Sequence, residues 1–349
     1  MKKFVGILCT AALTLSLVAC GSGGGEQQSS SSEGQSAEGG SGQVYKFRMG
    51  NVAPDSQSSS IAARDFIKKV EERSNGRIQI DFFPNGALFP SDREGIEALQ
   101  LGNVEMYISA AAPLASFNPK FMVFDLPFIF KSKEKAYEVL DGEIGQQLFK
   151  ELESVGIKGL AFIENGYRHM SNNRGPITKP EDLKGLKFRT MESPVHTATF
   201  NAFGANASPF AFGELYTALQ QNVYDAMESP ISLYYTNKFY EVQDYLTLSG
   251  HFYAASVFLM NLDTYNSLPE DLRQIIDEEA AAYRDAQRKL ATQQDEEWLE
   301  ELKKNGMQVN ELTPEQKDAF IQAAQPVYEE FADQIGRDLI DAVIKANNE

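Results

Sequence analysis

Cysteine is almost missing from this chain: its 349 residues include two, Cys9 and Cys20. Cys9 lies in an N-terminal apolar run, so the folded part has no internal disulfide and must be held by its core. Histidine is equally scarce. His169, His196 and His251 are too scattered for a metal site, no His/Cys cluster accompanies them, and neither metal nor cofactor is expected. No G-x-x-x-x-G-K-[ST] phosphate loop or G-x-S-x-G elbow is present, and the glycine-rich stretch at 21–25 is not part of either motif. After the first twenty residues no hydrophobic run is long enough to cross a bilayer. Cations are also in deficit, with 32 Lys and Arg against 49 Asp and Glu and a net charge of −17. That balance argues against nucleic acid or anionic lipid as partners. It also gives an anionic ligand no help from the global field. Salt screens charges beyond about 8 Å, so any carboxylate must be won by nearby arginines.

The N-terminus reads as a targeting segment. Met1-Lys2-Lys3 is a basic start, 4–18 is apolar and short, and Leu17-Val18-Ala19 precedes Cys20 as a small-residue cleavage site. A cysteine directly after such a site resembles the bacterial lipoprotein signal. The resemblance implies removal of residues 1–19 and lipidation of Cys20; an ordinary secretory signal with an incidental cysteine is the simpler alternative. Residues 1–19 hold Lys2, Lys3 and no acid, so their loss takes the charge from −17 to −19. Residues 21–43 are Gly, Ser, Gln, Glu and one Ala, a composition that cannot bury a core. Together with Cys20 they form a linker, 20–43, with an r.m.s. span of about 25 Å.

Residues 44–349 leave 306 for folding, enough for two cored domains. VYKFRMG (44–50) reads as a strand, 56–73 as a helix closed by Asn75-Gly76, RIQIDFF (77–83) as a strand and 92–101 as a helix. This alternation predicts a parallel α/β sheet. An apolar stretch at 121–130, a helix near 132–154 and strands at 157–163 and 256–262 continue the pattern. The longest helical run is 269–305, free of internal Gly or Pro and closed by Gly306. Its length, about 55 Å, exceeds what one compact domain needs. A single helix crossing two lobes explains it; two helices with an unmarked break are the alternative. No internal repeat is present.

The densest information lies between 166 and 251. LKGLKFRT (183–190) reads as a turn at Lys184-Gly185 followed by a short strand. Arg189 lies at its C-terminal end, the edge where open α/β sheets bind ligands. The planar fork of an arginine matches a carboxylate with two parallel charge-assisted hydrogen bonds. NGYRHMSN (165–172), FGANASPFAFGELYTALQQNVYDAMESP (203–230) and KFYEVQDYLTLSGH (238–251) flank this segment. Together they resemble the solute-binding proteins of TRAP transporters, the DctP-like family that captures organic acids outside the cell. The resemblance runs from about Val44 to the C-terminus.

The resemblance assigns residues by position. Arg189 matches the arginine that grips the ligand carboxylate, Arg168 a second arginine at the same group, and Phe212 a ring that packs on the ligand. Asn51 and Asp92 correspond loosely to polar ligand-facing positions, and Tyr234 or Tyr235 are further cleft candidates. At AMESP (226–230) family members commonly carry Gln-Glu-Asn-Pro; here Ser229 replaces the asparagine, and its shorter hydroxyl puts that contact in doubt. Glu192 either accepts from ligand hydroxyls or pairs with Arg168, Arg174 or a lysine to orient the site. His196, one turn further on, could face the same cleft or serve as a packing residue. Ala110 stands where sialic-acid-binding relatives carry a glutamate, which argues against sialic acid.

The implied architecture is a two-lobed α/β periplasmic-binding-protein-like fold with a central cleft and a bracing helix. Lobe I would comprise 44–165 and 255–295, and lobe II 166–254 and 296–349, the chain crossing near 165, 254 and 295. The implied function is extracytoplasmic capture of a sugar acid or C4-dicarboxylate for a carrier driven by an ion gradient, without catalysis. Its partners would be the large and small TRAP membrane subunits, and its only membrane contact a lipid anchor on the outer face of the cytoplasmic membrane. Glu192 and Ser229 tilt the ligand toward a hydroxylated monocarboxylate. The rival readings are a binding protein for an ATP-driven importer or a sensor kinase, and a lipid-anchored hydrolase using acidic residues.

Overall fold

The computed structural model describes residues 43–348; the targeting segment, Cys20 and nearly all of the linker lie outside them. In chain order the strands are β1 (Tyr45–Asn51), β2 (Ile78–Phe83), β3 (Met106–Ala110), β4 (Ile157–Asn172), β5 (Lys187–Thr190), β6 (Asn206–Pro209), β7 (Ala226–Pro230), β8 (Tyr245–Asn261) and β9 (Gln308–Glu311). The helices are α1 (Ser58–Arg73), α2 (Asp92–Gln100), α3 (Lys133–Asp141), α4 (Glu143–Leu152), α5 (Pro194–Ala202), α6 (Leu215–Gln220), α7 (Ile231–Thr236), α8 (Leu262–Ser267), α9 (Glu270–Lys304), α10 (Pro314–Ile335) and α11 (Arg337–Ala346).

The strands form one continuous sheet in the order β2-β1-β3-β8-β4-β7-β5-β6, with β9 beside β8. Its flanks are parallel, as the strand–helix alternation predicts: β1 lies between β2 and β3, and β5 between β6 and β7. Its centre is not. β8 runs antiparallel to both β3 and β4, and β4 antiparallel to β7. The 157–163 and 256–262 strands are the ends of two much longer ones, 16 and 17 residues, that cross the whole sheet. β3 pairs with one end of β8, at 256–260, while β7 pairs with the opposite end of β4, at 168–172. The β4–β8 ladder slips between Gly159 and Ala161, between Glu164 and Gly166, and between Arg168 and Met170. At the last slip residues 248–251 leave the ladder, with Gly250 in the left-handed region at φ 54°. Such bulges bend and twist a strand locally.

Local chemistry explains the element ends. The Gln57 side chain caps α1 by accepting the Ser59 N–H, and Ser91 caps α2 through the Glu94 N–H. α1 ends where Asn75 and Gly76 both take positive φ. The expected helix over 132–154 is instead two, α3 and α4, broken at Gly142. A Cβ there would stand 2.6 Å from the Glu138 carbonyl oxygen, so the break needs glycine. The turn expected at Lys184-Gly185 is present, with Gly185 at φ 74°, and the short strand after it is Lys187–Thr190, preceded by a 3-10 turn at Pro180–Leu183. Part of the apolar stretch at 121–130 is likewise a 3-10 segment, Pro119–Asp125.

α9 is one unbroken helix of 35 residues, about 52 Å long. Its first half buries Leu272, Ile276, Ala280 and Tyr283 in the core cluster under β1 and β2. Its last turns bury Trp298 and Leu302 in a separate cluster with Leu215, Met227 and Tyr234. Between these apolar ends the helix makes polar contacts: Gln287 accepts the Glu164 N–H at 2.8 Å and donates to the Glu164 carbonyl at 2.8 Å. α9 therefore braces both groups of strands. Leu272→Ala and Leu302→Ala, each at a fully buried position, are each expected to lower the unfolding free energy by about 2–5 kcal/mol. Denaturant titration measures this; a loss below about 1 kcal/mol at either position would remove that end of the brace.

Candidate functional site

β5 lies between two parallel neighbours, and after the exposed Lys187 its side chains are buried. Phe188 stacks on Phe200 with ring centroids 3.9 Å apart, and the next residue, Arg189, is 3% exposed. The Arg189 guanidinium donates from Nε (3.0 Å) and Nη2 (2.8 Å) to one acceptor, the Phe210 carbonyl. Its carbon sits 5.9 Å from the centre of the Phe212 ring. No carboxylate among the described residues lies within ion-pair distance of it. Burial therefore pulls its pKa down to about 10, with the nearby Arg168 pulling the same way and Glu228, Glu192 and Asp92 opposing from a distance. A buried cation without a paired anion is costly, and the cost falls when an anion arrives.

Arg168 is equally buried, at 2% exposure, but it has a counter-ion. From β4 its Nε and Nη2 reach both carboxylate oxygens of Glu228 on β7, the latter at 2.9 Å, and Nη2 also donates to the Glu228 carbonyl at 2.9 Å. Glu228 is the hub of a buried network. His196 Nδ1 stands 3.8 Å from one of its oxygens and His251 Nε2 3.7 Å from the other. His196 Nε2 lies 3.4 Å from Asp125, whose other oxygen accepts from Ser193 at 2.8 Å. Burial alone would raise the Glu228 carboxyl, but Arg168 and the imidazoles outweigh it and hold it well below the usual range. Burial pushes His196 down, yet Asp125 and Glu228 outweigh it and leave it raised. His251 is driven down to about 4 by burial.

One cleft brings six of the seven expected contacts together: Asn51, Asp92, Arg168, Arg189, Glu192 and Phe212. Asn51 ends β1 and is committed internally, donating to Ser59 and Ser60 hydroxyls at 2.9 and 3.1 Å and accepting from the Ala53 N–H at 2.9 Å. Asp92 opens α2; its Oδ2 accepts the Ala110 N–H at 3.3 Å, while Oδ1 is buried with no partner. Burial raises the Asp92 carboxyl to about 7. Glu192 is half-buried, is raised by burial, and forms no ion pair among the described residues. The pairing expected for it is absent, because Arg168 is held by Glu228 and Arg174 donates to the Lys184 carbonyl.

Other expectations are corrected. Ser229 does not line the cleft. Consecutive strand residues face opposite ways, so it shares a face with Met227, which packs beside Trp298, and its hydroxyl is buried without a partner. Tyr234 is fully buried, donating to the His169 carbonyl at 2.9 Å, and Tyr235 stacks on Trp298; Leu233 reaches the cleft instead. His196 stacks on Phe252, 4.1 Å between centroids, beneath the cleft rather than in it. Glu228, the counter-ion of Arg168, escapes sequence reasoning because acids are abundant and none stands out by spacing.

Residues 49–334 match the family Bacterial extracellular solute-binding protein, family 7, also called DctP. The chain belongs to this family. The C4-dicarboxylate-binding periplasmic protein DctP of Rhodobacter capsulatus is 40% identical over 303 residues, covering 85% of this chain and 89% of the relative. The sugar acid binding protein of Advenella mimigardefordensis, in complex with galactonate, superposes with a TM-score of 0.85 at 36% identity, covering 88% of this chain and 98% of the other. A TRAP periplasmic solute-binding protein of Sulfurospirillum deleyianum with bound succinate gives a TM-score of 0.82 at 37% identity, covering 86% and 98%. This DctP-family chain is thus a solute-binding protein of the TRAP type. Among its described residues no helix is long and apolar enough to cross a membrane.

Glu228→Gln keeps the shape and removes the charge that neutralises Arg168. It is expected to cost about 3–5 kcal/mol of stability at neutral pH. A group whose pKa is depressed by folding contributes stability above its unfolded value, near 4.5, and loses it as pH falls through the folded one. The gap between variant and wild type should therefore persist from pH 8 to 5 and close only below about 4.5. Urea titrations across that range measure it; a gap that is constant down to pH 2 would contradict the pairing.

Proposed function

We propose that this chain is the extracytoplasmic solute-binding subunit of an importer driven by an ion gradient, and that it captures a small organic acid through its carboxylate on Arg189. The observation that carries the reading is the Arg189 guanidinium: buried, lining the cleft, and without a carboxylate of its own. Nη1 of Arg189 and Nη1 of Arg168 make no hydrogen bond among the described residues, which leaves both arginines donors to offer. Phe212 supplies an apolar wall beneath the guanidinium. The names of the relatives support a carboxylate ligand, since galactonate and succinate are both organic acids.

The lobes are read as 44–165 with 255–295 and 166–254 with 296–349, the bulged segments of β4 and β8 being the natural hinges. An acid entering the open cleft would meet Arg189 and Arg168 on lobe II, and Asn51 and Asp92 would close from lobe I. The ligand then stabilises the closed state by its differential affinity for it. The closed protein delivers its cargo to a large and a small membrane subunit, while lipidated Cys20 holds it at the outer face of the cytoplasmic membrane. It makes and breaks no covalent bonds. Recovery of the ligand unchanged after long incubation separates this from a hydrolase using acidic residues.

A thermal-shift screen against organic acids tests the reading, because a ligand at 100 times its Kd stabilises by about 2.7 kcal/mol. For the best ligand, Arg189→Ala is expected to cost about 30-fold to over 1,000-fold in affinity, the equivalent of about 2–5 kcal/mol for breaking a buried charged pair. Titration calorimetry reads the change. Binding by the variant within a factor of three of wild type refutes the assignment.

A further inference from the structure

The cleft has a second kind of chemical group, whose role depends on a ligand carboxylate being seated on Arg189 as proposed. Two acids share the cleft with the arginines. Asp92 is 9% exposed, lines the cleft, and carries a buried Oδ1 with no hydrogen-bond partner. Glu192 also lines the cleft and has no ion pair among the described residues. The charges that act on Glu192 include Arg93, Arg189, Glu94 and Glu97. Of these Arg93 is already held by Glu97 at 2.9 Å.

The cations that line the cleft are Arg168 and Arg189, and Glu228 neutralises the first of them. That leaves one uncompensated guanidinium facing two carboxyl groups. A monoanion satisfies the guanidinium and leaves its remaining length beside Asp92 and Glu192. An ionised carboxylate accepts hydrogen bonds and donates none, so it pairs well with a hydroxyl and badly with another carboxylate. A second carboxylate on the ligand would stand against like charge in a partly desolvated cleft, with no free cation there to offset it. Discrimination of this kind comes from unfavourable contacts with the wrong ligand as much as from favourable ones with the right one.

We propose that this cleft selects a polyhydroxylated monocarboxylate, a sugar acid, over a C4-dicarboxylate, with Asp92 Oδ1 accepting from a ligand hydroxyl and Asp92 and Glu192 together rejecting a second carboxylate. Asp92 and Glu192 are then the specificity-determining residues, while Arg168 and Arg189 set only the requirement for an acid.

Titration calorimetry at pH 8 tests this, with galactonate, gluconate, glucuronate and succinate as probes. Burial has raised Asp92 to about 7, so at pH 8 its ionised form prevails. Wild type is expected to bind the best sugar acid at least tenfold tighter than succinate. The double variant Asp92→Asn/Glu192→Gln, checked for folding by its melting curve, is expected to narrow that ratio at least tenfold, losing affinity for the sugar acid while holding or gaining it for succinate. Arg189→Ala is measured alongside. Succinate binding as tightly as the sugar acids in wild type, or a ratio unchanged in the double variant, overturns the selectivity. If that binding is lost in Arg189→Ala, the carboxylate reading survives and only the selectivity fails. If no acid binds, or binding ignores Arg189, both fail together.

Discussion

Two guanidinium groups buried in one sheet, one neutralised and one not, set the terms for the rest of this molecule. Arg168 on β4 and Arg189 on β5 are both almost wholly removed from water. β7 lies between their strands and carries Glu228, which is drawn to Arg168 alone. Arg189 keeps one carbonyl, Phe210. Desolvating a guanidinium costs several kcal/mol in real proteins. The surrounding fold must offset that cost, and the stacked aromatic core under β5, with Phe188, Phe200 and Phe203 fully or nearly buried, helps to do so. What remains is a guanidinium already fixed in place by the Phe210 carbonyl, with little side-chain ordering left to be done should an anion bind.

The same strands that hold the arginines also join the two parts of the sheet. β4 passes from the β8 ladder at Glu164, through a slip, to Arg168 and the β7 ladder. β8 makes the corresponding passage through the bulge at 248–251. A further core cluster joins Leu140, Leu148 and Phe162 to Val195, Val327 and Phe331, so helices α5 and α10 are packed against the β1–β4 side as well. α9 braces the two parts, since its two ends are anchored in different clusters and its middle is tied to Glu164 through Gln287. Cleft and brace therefore share the same two strands.

The family is legible in the sequence because Arg189 stands within a long matched run of flanking residues, and Arg168 and Arg189 do both line one cleft. The long helix is legible because the 37-residue run 269–305 has no Gly or Pro after its first residue, which leaves few alternatives. Strand direction is not legible: period-two alternation looks the same in parallel and antiparallel ladders, and the centre of the sheet is antiparallel. The break at Gly142 depends on a close approach to the Glu138 carbonyl, a tertiary fact. Analogy of position puts Ser229 at the ligand, yet its face of β7 turns toward the Met227 cluster. The residue beside it, Glu228, carries the charge that matters there, and in so acidic a chain no spacing distinguishes it.

The central claim is that the ligand supplies the anion that Arg189 lacks. The most direct measurement is a crystal structure with the tightest-binding organic acid in place. The account predicts a carboxylate oxygen about 2.7–2.9 Å from an Arg189 guanidinium nitrogen, with the Arg168–Glu228 pair undisturbed beside it. An acid seated elsewhere, with Arg189 still bonded only to the Phe210 carbonyl, would contradict it.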